Sequence, residues 1–230
     1  MARHSMAKLK QSNKYYFTVE GETEKWYFDW LQKTINETAT AKFRVSFDCK
    51  IQKNPLKRAK TLNLTSKTEV YHITDYESND PVHAKEFMST MDKLDEVSLL
   101  GRQISYKLGY SNFTFDLWMI LHKSDCNASF SYRNQYIKPI NDAYCEKFKN
   151  MDHYKQEVNF KRLLSKLTLD DVVSAIKRAK AIMDRNHENG YVLQQYYNYK
   201  YYRENPSLMI WEPVEKILKE CGIVQKEEQD

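Results

Sequence analysis

Glycine, proline and cysteine are scarce in this 230-residue chain, with five, five and four residues respectively. The glycines form no Walker A, GxGxxG or GxSxG motif, so ATP hydrolysis by this chain and serine hydrolase chemistry have no support. The four cysteines, at 49, 126, 145 and 221, lie far apart without a CxxC pair. We therefore expect unpaired thiols in a reducing cytoplasm and no structural zinc site.

Long apolar segments are also missing. No run approaches the ~20 residues that span a bilayer, and the opening stretch "MARHSMAKLK" has no apolar leader. We therefore expect a cytoplasmic protein without a membrane partner. "MARHSM" resembles a remnant of cloning and is set aside. The net charge of +5 is compatible with nucleic acid. The 17 tyrosines could stack on bases, although packing in cores and interfaces is the commoner use.

Alternating strand and helix patterns predict an α/β fold. The β-rich stretches at 14–19, 43–51, 69–74 and 102–108 read as strands, and helical periodicity follows three of them. This alternation favours a mainly parallel, four-stranded central sheet flanked by helices. Four segments follow along the chain. They are an N-terminal tail (1–13), the α/β core (14–125), a helical C-terminal part packed on the core (126–222) and a polar tail (223–230).

Three carboxylates cluster after the first predicted strand, in the stretch "TVEGETEKWY". Ligands of open α/β sheets gather at the carboxyl ends of strands, which is where Glu20 should lie. Glu24 lies one helical turn further and should point to the same place, whereas Glu22 should point elsewhere. The alternative is that Glu22 and Glu24 only complement the helix dipole, which leaves the Glu20-Gly21 pair unexplained.

A second acidic pair, Asp75 and Glu77, follows the strand "EVYHIT". Alternate residues leaving a strand can present both carboxylates to one side, and Mg²⁺ is usually held by one or two carboxylates with waters and substrate phosphates. The alternative is an ordinary polar turn, because "DYESNDP" is also a turn sequence. Two acidic strand ends in one sheet suit a site where one or two metals hold a phosphodiester.

Three further polar residues lie in or beside the apolar run "FDLWMILH" (115–122), namely Asn112, Asp116 and His122. Asp116 needs a partner there or a role as a helix cap. His122 could equally donate a hydrogen bond inside the core. These residues are candidates for a supporting role.

A short basic segment after the second strand is a candidate phosphate-facing patch, although such a run is more often a solvated helix face. Its members are Lys53, Lys57, Arg58 and Lys60.

Three sequence blocks resemble the RloB family, bacterial proteins with a TOPRIM-like core from phage-defence and restriction-associated loci. The blocks are "FTVEGETEKWYF" (17–28), "VYHITDYESNDP" (70–81) and "SNFTFDLWMILHK" (111–123), and "NPSLMIWEPVEKIL" (205–218) is a weaker fourth. They run in order through most of the chain. The resemblance implies a TOPRIM-like sheet with a helical C-terminal extension.

By analogy with TOPRIM nucleases, the resemblance implies roles for four acids. Glu20 would be a metal ligand or general base, Glu24 a supporting ligand, and Asp75 and Glu77 ligands for Mg²⁺ or Mn²⁺. The chain departs from the pattern where Glu77 replaces the second Asp of Asp-x-Asp and Asp116 replaces a Glu. The first departure leaves metal binding plausible and puts a two-metal geometry in doubt.

The leading hypothesis is a Mg²⁺- or Mn²⁺-dependent nuclease, or a nuclease-like effector, in antiphage defence, which the resemblance pairs with an ATPase subunit. The first alternative is a non-catalytic TOPRIM-like binding or regulatory subunit. The second is a nucleic-acid-binding module that uses the Tyr-rich stretch near residues 191–202. DNA or RNA as substrate, and assembly into a homo-oligomer, stay open.

Overall fold

A computed structural model describes residues 11–100 and 103–225 of the chain. Of the predicted tails, residues 1–10 and 226–230 lie outside the described residues. The strands are β1 (Ser12–Val19), β2 (Arg44–Ile51), β3 (Thr68–Asp75), β4 (Ile104–Asn112), β5 (Gln194–Tyr196), β6 (Tyr199–Tyr201) and β7 (Ser207–Leu208). Strands β1 to β4 coincide with the four predicted ones, with ends shifted by a few residues.

The main sheet has five strands rather than the four expected, in the order β2-β1-β3-β4-β7. The first four are parallel, as the alternation with helices predicts, whereas β7 pairs antiparallel with β4. This extra strand, Ser207–Leu208, lies within the C-terminal part (126–222) that the sequence predicts to be helical. It forms because the outer edge of β4 offers unpaired backbone groups near residues 111 and 112.

Helices cover the sheet and build most of the C-terminal part. They are α1 (Glu22–Glu37), α2 (Pro55–Thr61), α3 (Pro81–Leu99), α4 (Asp116–Leu121), α5 (Ile137–Tyr144), α6 (Met151–Tyr154), α7 (Glu157–Leu164), α8 (Leu169–Glu188) and α9 (Trp211–Glu220). Asn54 and Asp80 cap α2 and α3 through their side chains, and a proline occupies the first turn of each. Both starts follow from local sequence.

Alternation along the strands divides the core between the two faces of the sheet. Phe17 and Ile73 belong to a large cluster with α1, α4 and the helices of the C-terminal part. Val70 and Tyr110 belong to a smaller cluster with α3. Both faces are therefore covered, as expected for parallel strands rich in apolar residues.

The C-terminal part is mostly helical, as predicted, and the Tyr-rich stretch within it forms the β5–β6 hairpin. Its tyrosines are largely used in packing: Tyr201 is buried against Phe87 and Tyr76, and Tyr196 donates to Asp92. All four cysteines are free, as the sequence predicts. Among the described residues, no helix has the length and apolar character needed to cross a bilayer.

Candidate functional site

Glu20 and Asp75 meet at the carboxyl ends of two neighbouring strands. Strands β1 and β3 run parallel with Thr18 opposite His72, which brings Glu20 level with the end of β3. The Thr74 hydroxyl donates to Glu20 Oε1, and the backbone N–H of Asp75 approaches the same oxygen at 3.3 Å. The structure therefore brings together the two residues on which the predicted site depends.

Each of these carboxylates has one anchored oxygen. Phe115 N donates to Asp75 Oδ1 at 2.8 Å, while Oδ2 accepts no hydrogen bond from a described residue. Glu20 Oε1 is held by strand β3, and Oε2 lies 3.6 Å from Lys53 Nζ. The pair is thus oriented by the protein while retaining an oxygen on each residue for a further partner.

Glu24 is buried beside this pair, with 6% of the residue exposed. Thr23 Oγ1 donates to Glu24 Oε2 at 3.1 Å. A Cβ placed on Gly21 would lie 3.2 Å from the same oxygen, so glycine leaves space for the carboxylate. Burial raises the pKa of Glu24, and the charge of Asp116 adds to the effect. Glu22 is exposed, in line with the prediction that it points elsewhere.

Glu20, Glu24 and Asp75 form an acid cluster in which the charges of Glu20 and Glu24 act on Asp75. Burial raises the pKa of Asp75 well above its ordinary value, followed by repulsion from Glu20 and then Glu24, with Asp116 contributing less. Acids whose pKa is raised by burial and by like charges are typical of functional sites, although structural clusters also show them. A cation that reached Asp75 would relieve this repulsion.

Lys155 supplies a positive charge to this cluster. Its Nζ lies 3.2 Å from Asp116 Oδ2, and its charge lowers the pKa of both Glu24 and Asp75. Asp116 is fully buried and also accepts from Thr114 Oγ1 at 2.9 Å, while its Oδ1 has no partner among the described residues. Lys155 could not be predicted from the sequence, because no local pattern marks a single lysine after a short helix.

Glu77 is placed differently from the expectation that it shares one side with Asp75. Its backbone adopts a φ of 27°, in the left-handed region, and its Oε2 lies 2.9 Å from His83 Nε2. The other ring nitrogen of His83 contacts Asp80, and that contact, with the charge of Glu77, raises the pKa of His83. Glu77 lines the same cleft as Asp75, but its carboxylate is held by a histidine.

An open cleft of about 900 Å³ lies at these strand ends, and Glu24, Asp116 and Lys155 are outside its lining. The acidic residues of its lining are Glu20, Asp75, Glu77 and Glu86. Lys53 lies on one wall, and helix α3 forms another wall with Lys85 and Lys93. The cleft therefore combines acids at strand ends with ammonium groups around them. Neither α3 lysine was a candidate from sequence, although their spacing of eight residues on one helix was a usable signal.

The carboxylates of Glu20 and Asp75 suit a hard cation that takes only one or two of its ligands from the protein. Within residues 11–100 and 103–225, no group of three or more His, Cys, Asp or Glu is arranged to hold a metal ion. Mg²⁺ commonly needs only one or two carboxylates, with waters and substrate phosphates completing its shell. Glu20 and Asp75 meet that smaller requirement.

Two of the predicted supporting residues have structural partners instead. Asn112 Nδ2 donates to the carbonyl oxygens of Arg203 and Glu204, which ties the C-terminal segment to β4. His122 is buried, with Nδ1 2.8 Å from Trp118 O and Nε2 3.2 Å from the Tyr27 hydroxyl. Burial lowers the pKa of His122 to about 4. Only Asp116 among the three lies near the acid cluster.

Of the four residues in the predicted basic patch, one lines the cleft and three do not. Lys53 lines the cleft, whereas Lys57 and Lys60 are exposed outside the lining residues. Arg58 is buried and its Nη2 lies 2.6 Å from Asp48 Oδ1. That ion pair holds α2 to β2, so Arg58 does not face a phosphate here.

Comparison with known proteins agrees with the sequence blocks. Neither the curated proteins nor the solved structures compared with this chain gave a match. A family model described as RloB-like protein matches residues 15–217, well over half of the chain, and its range includes every residue of the acid cluster. This protein therefore belongs to the RloB-like family.

Proposed function

We propose that this protein is a metal-dependent nuclease, with Glu20 and Asp75 as the ligands of Mg²⁺ or Mn²⁺. The observation that carries the proposal is the meeting of these two carboxylates at adjacent parallel strand ends, each with one oxygen anchored by the protein. Strand ends of this kind are where open α/β sheets bind ligands. Glu24 is a supporting ligand, and Glu77 becomes one if His83 releases it.

The residues of the cleft divide the work. Thr74 and the backbone of Asp75 hold Glu20 in one orientation, and Phe115 N does the same for Asp75. Lys155 pairs with Asp116 and offsets part of the charge of the buried Glu24. A bound Mg²⁺ or Mn²⁺ would supply a water of lowered pKa and neutralise phosphate charge.

Charge also explains why a divalent ion would be required. Four acidic residues line the cleft, with Lys53 beside Glu20, so a phosphodiester would be repelled from the strand ends without a cation. Lys53, with 74% of its side chain exposed, is free to turn toward a phosphate. Such an arrangement suits hydrolysis of a nucleic-acid backbone.

The biological setting rests on the family resemblance. RloB-like proteins are associated with phage defence and with an ATPase subunit, and we extend both features, together with a cytoplasmic location, to this protein as part of the proposal. Activity could then depend on the ATPase.

Cleavage of a mixed DNA and RNA panel tests the proposal. Wild type is assayed with Mg²⁺ or Mn²⁺, with and without EDTA, beside Glu20→Gln. Glu22→Gln is the matched control, because Glu22 belongs to the same segment and is exposed. We expect cleavage that EDTA and Glu20→Gln abolish and Glu22→Gln preserves. Metal-independent cleavage, or full activity of Glu20→Gln, would contradict the assignment.

A non-catalytic binding subunit is the second candidate. It is favoured by the lysines already placed against the acids, Lys155 at Asp116 and Lys53 at Glu20, since internal cations can neutralise a site that never binds metal. Retention of both metal binding and phage defence by Glu20→Gln and Asp75→Asn variants would favour this candidate over the nuclease.

A further inference from the structure

Helix α3 presents a row of polar groups to the cleft. Lys85, Ser89 and Lys93 all line it and follow one another at intervals of four residues, which places them on one face of a helix. At a rise of 1.5 Å per residue, the row extends over about 12 Å. Lys85 is exposed and Lys93 half-buried.

The row begins close to the acid cluster. Strand β3 ends at Asp75 and α3 starts at Pro81, so the first turn of α3 is tied to the strand end by a short connection. His83 in that turn contacts Glu77. Along α3, Lys85 is therefore nearer to the carboxylates than Lys93, and the row leads away from them.

Both α3 lysines are available to a ligand. Neither forms an ion pair or hydrogen bond with a residue that the structure describes, in contrast to Lys161 and Lys180 on other helices, which pair with carboxylates. Glu86 is the acid on the same wall, and its charge acts on His83. An anion that bound the two lysines would displace no internal partner.

We propose that this face of α3 holds the phosphate backbone of a nucleic-acid strand that extends from Glu20 and Asp75 along the cleft. The contacts are ionic and made by long side chains, so recognition is independent of base sequence. Lys53 stands on a different wall beside Glu20 and contacts the strand at the acid end. The inference rests on the proposed function and adds to it the path of the substrate.

Binding measured over a range of salt concentrations tests the path. The probes are a fluorescently labelled single strand and the corresponding duplex, titrated with Glu20→Gln protein in Mg²⁺ so that cleavage does not interfere. The cleft variant carries Lys85→Gln and Lys93→Gln. The control carries Lys147→Gln and Lys177→Gln, which remove the same charge from two exposed residues outside the cleft lining.

We expect the cleft variant to lose two phosphate contacts. The negative slope of log K against log salt should become shallower by about 1.4 on a single strand, or by about 1.8 on a duplex. If affinities converge at 1 M salt, a slope change of that size corresponds to binding about 25-fold weaker on a single strand at 0.1 M. The control should keep the wild-type slope, and Lys85→Arg with Lys93→Arg should restore it. Whichever probe shows the change, the single strand or the duplex, is the form of nucleic acid that the cleft holds.

Equal losses in the cleft variant and the control would overturn the path, because the effect would then follow net charge alone. An unchanged slope in the cleft variant, while Glu20→Gln abolishes cleavage in the separate assay, would overturn the path and leave the proposed nuclease standing. Failure of both the wild-type protein and the Glu20→Gln protein to bind either probe in Mg²⁺ would contradict both.

Discussion

Replacing Asp75 by asparagine should make the metal-free protein more stable at neutral pH. Asp75 is partly buried, and its charge is opposed by burial and by Glu20 and Glu24. Asparagine has nearly the same shape, and its Oδ1 can still accept from Phe115 N, the one hydrogen bond that anchors the side chain. The substitution thus removes the charge repulsion while keeping the hydrogen bond from Phe115 N.

The magnitude follows from the neighbouring charges. Like charges about 4 to 8 Å apart repel by about 2–4 kcal/mol at an effective dielectric constant near 20. Lys155 offsets part of this repulsion, because its charge acts in the opposite direction on Asp75. A net gain of about 2 kcal/mol would raise the Tm by about 4–8 °C for a chain of this size.

The pH dependence has a defined sign. The pKa of Asp75 is raised above its ordinary value of 3.8, so the folded state binds the proton more tightly than the unfolded state does. Stability of the wild type should therefore fall as the pH rises above about 4 and through the folded-state pKa. The asparagine variant should lose that part of the decline.

Thermal melts followed by circular dichroism between pH 4 and 8, in EDTA and in Mg²⁺, measure both effects. Added Mg²⁺ should raise the Tm of the wild type, since a ligand that binds only the folded state stabilises it, and should raise that of Asp75→Asn much less. Glu22→Gln is the control, because that carboxylate is exposed. An asparagine variant less stable than wild type at pH 7.5, with an unchanged pH profile, would refute the reasoning.

Three further predictions concern the surroundings of the acids. Lys155→Met should destabilise the fold by about 3–5 kcal/mol at most, because it leaves buried Asp116 uncompensated; adding Asp116→Asn should recover most of the loss in urea unfolding, and simple additivity would contradict the pairing. Gly21→Ala should weaken Mg²⁺ binding in calorimetry with little change in Tm, since its Cβ would crowd Glu24 Oε2 at 3.2 Å; unchanged affinity would show that Glu24 is not a ligand. Burial lowers the pKa of His72 to about 4, so it should stay neutral in NMR titrations above pH 5 and contribute up to about 3 kcal/mol of stability that is lost as the pH falls from 6.5 toward 4; titration near 6.5 would contradict its burial.

Sequence alone was sufficient to predict the parallel part of the sheet and the acidic residues at its carboxyl edge. Strands β1 and β3 are runs of apolar and β-branched residues, and such runs alternating with helices favour parallel pairing. The carboxyl ends of parallel strands share one edge of a sheet. The meeting of Glu20 with Asp75 could therefore be anticipated, although more than fifty residues separate them.

Chain-local patterns failed where a contact depends on distant surfaces. Strand β7 has two residues, too few for a periodic signal, and it exists because the edge of β4 is there to pair with it. Glu77 was expected beside Asp75, but the backbone turns into the left-handed region after the strand and His83 takes its carboxylate. Arg58 belongs to a basic run, yet it is buried in an ion pair with Asp48 on β2.

The acids at the strand ends were thus determined by the sequence, whereas the charges around them were decided by tertiary structure. Lys155 lies in the helical part of the chain and reaches Asp116 only because that part folds back onto the core. Lys85 and Lys93 face the cleft only because α3 packs along it. A carboxylate at a strand end is placed by backbone pairing within the sheet, but its counter-charges come from whichever helices bury their apolar faces beside it.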